Sequence, residues 1–596
     1  MADPRNMTPR RRVLQFLAGL GVASPVLARA VTALAEEGAP IDKETIRRAE
    51  WISGLELTDE KRELMVEGLR QMQEQFARLR ALPLDNSVPP ALAFDPFAAR
   101  PGARTPPGDP DRSRHVRLGP PSDSAPDHED DVAFASIRQL SAWLRGGHLS
   151  ARELADLSLA RLEKHDPALH CVIERTVDVA RAQADAADRR LAEARKNSGD
   201  GPGEPLLGIP WGAKDLLSWP GTRTTWGAKP YEDQIGAVRS TAAANLEAAG
   251  ATLVAKLTVG ALAWGDVWFG GKTRNPWNVE QGSSGSSAGP ASATAAGLVT
   301  FALGTETWGS ILSPATVCGL TGLRPTFGRV SRHGCMALAW SMDKIGPIAR
   351  SAEDCALVFG AIHGADGLDP VARSVEFAWP PARPRPVRIG VLRAEFDRDR
   401  AQYAGDEDGD EATTVEWWKE WEVIDRGSLD TLANAGFELV DCTLPGDVPI
   451  SDLAFILTAE AATAFDDLTR SGRDDLLVRQ VAAAWPNVFR QGQMIPAVEY
   501  LRANRHRTRL LAATEAMFDG VDVIVAPTWV GDTLLLTNLS GHPQLCLPNG
   551  LRTDGTPTSL SFVGRLDGEE ALLAVARAFQ EVTDFHRRRP PGFVTG

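Results

Sequence analysis

Beyond Leu206, short apolar runs alternate with stretches of helical pattern, and this alternation limits the fold more than any other feature of the chain. Ala251-Thr252-Leu253-Val254-Ala255, Val387-Arg388-Ile389-Gly390-Val391-Leu392 and Val521-Asp522-Val523-Ile524-Val525-Ala526 each have the length and composition of one strand. Strands separated by helical segments build a sheet that helices must cover, so the expected class is α/β with a mixed sheet. With 596 residues, the chain can bury a large core and hold more than one folding unit.

Ahead of that region the pattern changes several times. Arg10-Arg11-Arg12-Val13-Leu14, the apolar stretch from Phe16 to Leu27 and Ala28-Arg29-Ala30 have the order of an export signal. The paired arginines are similar to a twin-arginine signal, which implies a periplasmic or extracellular protein and otherwise a cytoplasmic one. Residues 31–82 are expected to form two helices. Thr58 before Asp59-Glu60 suits a helix start, and Met65, Leu69, Met72, Phe76 and Leu79 form one apolar stripe for docking on the body. Residues 83–130 read as a Pro-rich linker. Residues 136–198 are helical in pattern, with a capping box at Ser150 and Glu153. An acidic run, Asp406 to Glu411, precedes Trp417, Trp418 and Trp421, which read as core or lid packing or as a binding platform.

The balance of charge excludes several functions. A net charge of −14 argues against a nucleic-acid partner. Six scattered cysteines without a CxxC pair or a Cys/His cluster give no metal site and no disulfide framework. Gly270-Gly271-Lys272-Thr273 superficially resembles a phosphate loop, but Asp266 stands where that loop needs glycine. No cofactor is expected, and no stretch after the signal has the length and apolarity of a membrane span.

The chemistry lies in three loops. Gln281-Gly282-Ser283-Ser284-Gly285-Ser286-Ser287-Ala288 and Gly304-Thr305-Glu306-Thr307-Trp308-Gly309-Ser310-Ile311 are rich in glycine and small residues, and lie within Ala-, Leu- and Val-rich sequence rather than in a linker. Upstream, Gly208-Ile209-Pro210-Trp211-Gly212-Ala213 leads to Lys214-Asp215. A serine hydroxyl needs a neighbouring base. None of the ten histidines sits in these loops, and His333, His542 and His586 read as structural or surface residues. Lysine can replace histidine only when neutral, which requires burial to lower its reference pKa of about 10.4 by roughly three units. Alone, the Lys214-Asp215 pair reads as a surface ion pair.

Together with Asn275-Pro276-Trp277-Asn278, Gly328-Arg329-Val330-Ser331, Asp343-Lys344-Ile345-Gly346-Pro347, Asn538-Leu539-Ser540-Gly541-His542-Pro543 and Thr583-Asp584-Phe585-His586-Arg587-Arg588, these loops closely resemble the amidase signature family. The resemblance preserves motif order from near residue 132 to Pro590 and implies a catalytic domain over 131–590, built on a large central mixed sheet with helices on both faces. It also implies a Ser–cis-Ser–Lys triad: Ser310 as nucleophile, Ser283 as the bridging serine preceded by a cis peptide, and Lys214 as base. Main-chain N–H groups of Thr307, Trp308, Gly309 and Ser310 would hold the oxyanion. Ser284 and Ser286 are taken as loop-structuring residues, and Ser287 as a hydrogen-bonding support or a helix cap.

Three positions depart from the family pattern in this reading. Trp308 stands for the usual glycine, Leu312 for arginine, and Ser286 for a glycine of the first loop. The implied activity is hydrolysis of a small-molecule amide through an acyl-enzyme, with esters and carbamates open to the same machinery, by a monomer or homodimer. A glutamine-amidase subunit of a transfer-RNA amidotransferase and a catalytically silent binding protein are the alternatives.

Overall fold

In the computed structural model, which describes residues 41–84, 91–92, 124–197, 204–381, 387–405 and 414–594, the apolar runs become strands of one eleven-stranded sheet. In chain order they are β1 Val172–Arg175, β2 Pro210–Lys214, β3 Thr252–Leu257, β4 Phe301–Glu306, β5 Thr321–Arg324, β6 Lys344–Ala349, β7 Arg388–Leu392, β8 Glu438–Cys442, β9 Val523–Pro527, β10 Gln544–Leu551 and β11 Pro557–Gly564. Across the sheet the order is β1-β3-β2-β4-β6-β5-β10-β11-β9-β7-β8. β2 runs parallel to both β3 and β4, while β4 and β6 are antiparallel, so the sheet is mixed.

Both faces are covered. Alternate residues of a strand point to opposite sides, and in β4 Phe301 and Leu303 join the core around helix Ala352–Ile362, whereas Ala302 joins a cluster with Leu159, Leu162 and Ala293. Every residue of β2, β3, β4 and β6 is buried, which explains why these strands read as continuous apolar runs rather than as alternating ones.

Residues 136–198 are not helical throughout. Helices Ile137–Gly146, Ala151–Leu169 and Val177–Asn197 are present, but Val172–Arg175 between the last two is a strand paired antiparallel with β3. His170 ends the preceding helix in the left-handed region (φ 49°), and the Asp166 carboxylate accepts from the N–H groups of Cys171 and Val172 at 2.8 and 2.9 Å. β-branched Val172 and Ile173 then favour extended chain. The capping box at Ser150 forms, with Glu153 N–H donating to Ser150 Oγ at 3.1 Å and Ser150 N–H donating to Glu153 Oε2 at 2.9 Å.

Helices Lys43–Ser53 and Asp59–Ala81 lie before the sheet, and Thr58 caps the second by accepting from Lys61 N–H. Met72, Phe76 and Leu79 are buried with Leu453, Phe455 and Leu510, and the Phe76 and Phe455 rings meet edge to face at 5.0 Å. Arg78 donates two hydrogen bonds to Asp452, each 2.7 Å, and Arg80 two to Glu499. The export-signal reading of residues 1–30, most of the 83–130 linker and the acidic run 406–411 lie outside the described residues. Trp417, Trp418 and Trp421 sit on helix Val415–Asn434, where Trp418 and Trp421 are buried and stacked with 5.4 Å between ring centroids. Among the described residues no helix is long and apolar enough to cross a membrane.

The Phe76 contact sets an expectation for stability. Phe76→Ala removes a buried ring and should cost about 3–5 kcal/mol. Arg78→Ala leaves the buried Asp452 carboxylate without its half-exposed partner and should cost about 1–3 kcal/mol. Thermal unfolding of the two variants beside the native protein checks the ranking.

Candidate active site

Lys214 is the last residue of β2, a strand enclosed between β3 and β4. Both Lys214 and Asp215 are fully buried. The alternation of an extended chain sends consecutive side chains to opposite sides, and the two do not pair with each other. Asp215 accepts from Lys256 Nζ at 2.8 Å and from Thr225 N–H at 2.7 Å. Lys214 Nζ instead faces four oxygens: Ser286 Oγ at 2.9 Å, Ser287 Oγ at 2.9 Å, Thr305 Oγ1 at 2.8 Å and the Thr305 carbonyl at 3.1 Å. The surface ion-pair reading is therefore excluded. Burial lowers the Lys214 pKa to about 7, against weaker opposing fields from Cys335, Glu306 and Asp343.

The first serine loop corrects the sequence assignment. The cis peptide lies between Gly285 and Ser286, not before Ser283. Ser283 Oγ donates to the neighbouring Ser284 carbonyl at 3.0 Å and does not contact Lys214. The loop contains Gly-Ser-Ser twice, at Gly282-Ser283-Ser284 and Gly285-Ser286-Ser287, and the second copy is the one packed on the lysine. Ser286 is thus neither a loop-structuring residue nor a replaced glycine, but the serine on the base. Its neighbour Ser287 is committed elsewhere, donating to the Thr305 carbonyl and accepting from Thr305 N–H, both at 3.2 Å. Ser287 thus supports the loop, and its side chain accepts no capping hydrogen bond from helix Ala288–Ala295. Ser286 Oγ is bonded only to Lys214 among the described residues.

The second loop leaves β4 at Glu306. Its carboxylate accepts from the N–H groups of Ile311 and Leu312 at 2.9 and 3.0 Å, from Arg324 Nη1 at 3.1 Å and from Asn538 Nδ2 at 3.0 Å. Burial pushes Glu306 up, but Arg324 and these donors outweigh it and keep the group below the ordinary glutamate value. On the other side, Thr307 Oγ1 donates to Asp343 Oδ1 at 2.6 Å. The chain between these anchors turns at Gly309 (φ 87°), where a side chain would be strained and a Cβ would stand 3.0 Å from Leu534 and Ser313. The N–H groups of Trp308, Gly309 and Ser310 have no acceptor among the described residues, whereas the next two are taken by Glu306. Ser287 N–H donates to the Ser310 carbonyl at 3.0 Å, which ties the two serine loops together. Ser310 is buried, and its hydroxyl makes no hydrogen bond with Ser286 in this structure.

Two departures from the family pattern are resolved by this geometry. Trp308 keeps an ordinary backbone conformation, because the left-handed position is Gly309, and the residue is 45% exposed. Leu312 enters an apolar cluster with Ala291, Ala295 and Ile348.

Among the described residues no histidine bonds to Lys214, Ser286 or Glu306. His542 is buried, hydrogen-bonded to Ser540 and pushed down by burial to about 4, and His586 is lowered to about 4. Sequence reasoning missed Thr305, Glu306 and Arg324 and gave no role to Asp343 and Asn538. A signal existed for Glu306, since a carboxylate closing a buried strand must find a partner.

A family model described as Amidase matches residues 153–537. A glutamyl-tRNA(Gln) amidotransferase subunit from Roseiflexus castenholzii is 36% identical over 502 residues, covering 76% of this chain and 97% of its own. The corresponding subunit from Halorhodospira halophila is 33% identical over 506 residues, covering 77% and 99%. Among solved structures, the peptide amidase from Stenotrophomonas maltophilia superposes with a TM-score of 0.64 at 26% identity, covering 77% of this chain and 99% of that one.

Glu306→Ala leaves the Arg324 guanidinium buried without its carboxylate. The expected cost is about 3–5 kcal/mol, seen as a lowered unfolding temperature together with weakened protection of the Ile311 and Leu312 amides in hydrogen exchange.

Proposed function

The chain belongs to the amidase signature family and is a hydrolase of amides, and we propose that it works through an acyl-enzyme on Ser310 with Ser286 and Lys214 as the proton relay. The observation that carries this reading is the fully buried Lys214, lowered to about 7 and in contact with Ser286. Near neutral pH about half of such a lysine is uncharged and can accept a proton. Lys214 takes the proton of Ser286, which takes that of Ser310 as Ser310 Oγ bonds to the amide carbon. The N–H groups of Trp308, Gly309 and Ser310 receive the developing oxyanion, each such donor contributing roughly 3 kcal/mol. Collapse breaks the carbon–nitrogen bond, and the proton returns along Lys214 and Ser286 to the leaving nitrogen. Water then resolves the ester by the same path. A long Ser286–Ser310 approach is compatible with this role, because such bonds tighten when substrate is bound.

The substrate is a small-molecule amide in this reading, with ester and carbamate cleavage available to the same groups. The curated relatives named as amidotransferase subunits favour a second reading, glutamine hydrolysis within a complex. Hydrolysis of a simple amide by the isolated chain, without stimulation by partner subunits, would oppose it. A silent binding protein would keep the fold but not the nucleophile's reactivity. A fluorophosphonate probe should label the native protein and not Ser310→Ala; a native protein that takes no label and turns over no amide, ester or carbamate would sink the hydrolase mechanism.

The relay makes two further predictions. Ser286→Ala should lower kcat/KM by roughly a hundredfold or more, whereas Ser283→Ala should change it little. Because the protonated lysine cannot act as base, kcat/KM should fall about tenfold per pH unit below about 7 and level off above it, and this limb should vanish from the residual activity of Lys214→Ala.

For location, the arginine-led segment of residues 10–30 supports export by the twin-arginine route. A reporter fused to residues 1–35 should be exported, and export should stop when Arg10 and Arg11 are both changed to lysine.

A further inference from the structure

A cavity of about 470 Å³ opens beside the serine loops. Ser284 and Gly285, which directly precede Ser286, form part of its wall, as does Ser313, three residues after Ser310. Tyr403, Trp417 and Trp529 line it as well. Trp529 Nε1 donates to Ser313 Oγ at 3.0 Å, so the aromatic lining is fixed to the helix that follows Ser310. The volume is in the range of small-molecule sites.

Arg552 also lines this cavity and is only 8% exposed. Its guanidinium centre lies 3.9 Å from the Trp417 ring centroid. Nε and Nη2 both donate to Thr556 Oγ1, at 3.0 and 2.6 Å. Nη1 is buried and has no hydrogen-bond partner among the described residues. The carboxylate of Asp554 approaches Nε at 3.8 Å, and its own side chain is about half exposed. Burial lowers Arg552 to about 10. Asp266 and Lys272, also in the lining, are engaged with partners of their own. The cavity therefore combines flat aromatic surfaces with one buried cation that has an unused N–H donor. Rings stack on such surfaces, and a carboxylate is the group that a guanidinium binds most strongly.

We infer that this cavity is a substrate subsite for a planar aromatic group bearing a carboxylate, with the ring against Trp417 and Trp529 and the carboxylate on Nη1 of Arg552. The inference rests on the hydrolase reading and names its substrate class. Arg552 is a specificity-determining residue rather than a catalytic one.

Two matched pairs of amides test it, because the carboxylate could stand on either side of the scissile bond. One pair is 4-carboxybenzamide and 4-methylbenzamide; the other is N-acetyl-4-aminobenzoate and N-acetyl-4-methylaniline. In at least one pair the native protein should favour the carboxylate in kcat/KM by roughly ten- to a hundredfold. Arg552→Met should bring that ratio to about one, and Arg552→Lys should keep only part of it. A native ratio near or below one in both pairs, or a ratio unmoved by Arg552→Met, overturns the subsite. Calorimetry with the better carboxylate compound on Ser310→Ala gives a readout independent of turnover: adding Arg552→Met should raise Kd at least about tenfold. If Arg552→Met does not fold, Trp417→Leu replaces it, and an unchanged Kd there counts against the subsite. Should the native protein turn over none of the four amides and take no fluorophosphonate label, the hydrolase mechanism fails, while calorimetry still decides the subsite.

Discussion

Burial of one lysine is the constraint on which the site depends. An ammonium group removed from water must be compensated or must give up its charge. Lys214 is placed at the end of a strand with neighbours on both sides, and its nitrogen meets three hydroxyl oxygens and a carbonyl rather than a carboxylate. A carboxylate at that distance would have held the lysine charged. The adjacent carboxylate in the chain, Asp215, points away to Lys256, and Glu306 and Asp343 act on Lys214 only as weaker fields. Of these two buried lysines one is paired with a carboxylate and one is left with neutral oxygens, so burial lowers the Lys214 pKa to about 7 without a close carboxylate to oppose it.

A second buried charge organises what the lysine acts upon. Glu306 is ionised by its donors and by Arg324, and it holds the first two N–H groups after Ser310. The N–H groups just before them are left unbonded and face no competing acceptor among the described residues. Both ends of the loop are tied, through the Glu306 carboxylate to Ile311 and Leu312 and through Thr307 to Asp343. Trp308 fits into this loop because the left-handed turn falls on Gly309, so the indole changes the surface near the nucleophile and not the backbone that carries the donors.

The parts added around the sheet follow ordinary packing physics. Met72, Phe76 and Leu79 find an apolar partner on residues 450–510, while Met65 and Leu69 pack with Ile46 and Met494, and the ion pairs of Arg78 and Arg80 fix the direction of the helix along that surface. The three tryptophans divide between two roles. Trp418 and Trp421 are largely core, while Trp417 carries Arg552 on its ring beside a cavity.

Class, strand positions, helix caps and the three loops that meet at Lys214 were legible in the residues, because each rests on local signals: apolar runs, β-branched content, capping boxes and glycine-rich turns. The short strand at Val172 was not, since four residues between two helices carry too little pattern to compete with their surroundings. The bridging serine could not be read either. Gly-Ser-Ser occurs twice within six residues, Gly282 to Ser287, and the two copies have the same local chemistry. Only the packing of one copy against Lys214 distinguishes Ser286 from Ser283. Sequence alone determined which kinds of groups this protein brings to its site. Tertiary structure decided which of them meet, because contact between residues 72 positions apart depends on how the sheet and its loops pack and not on any local preference.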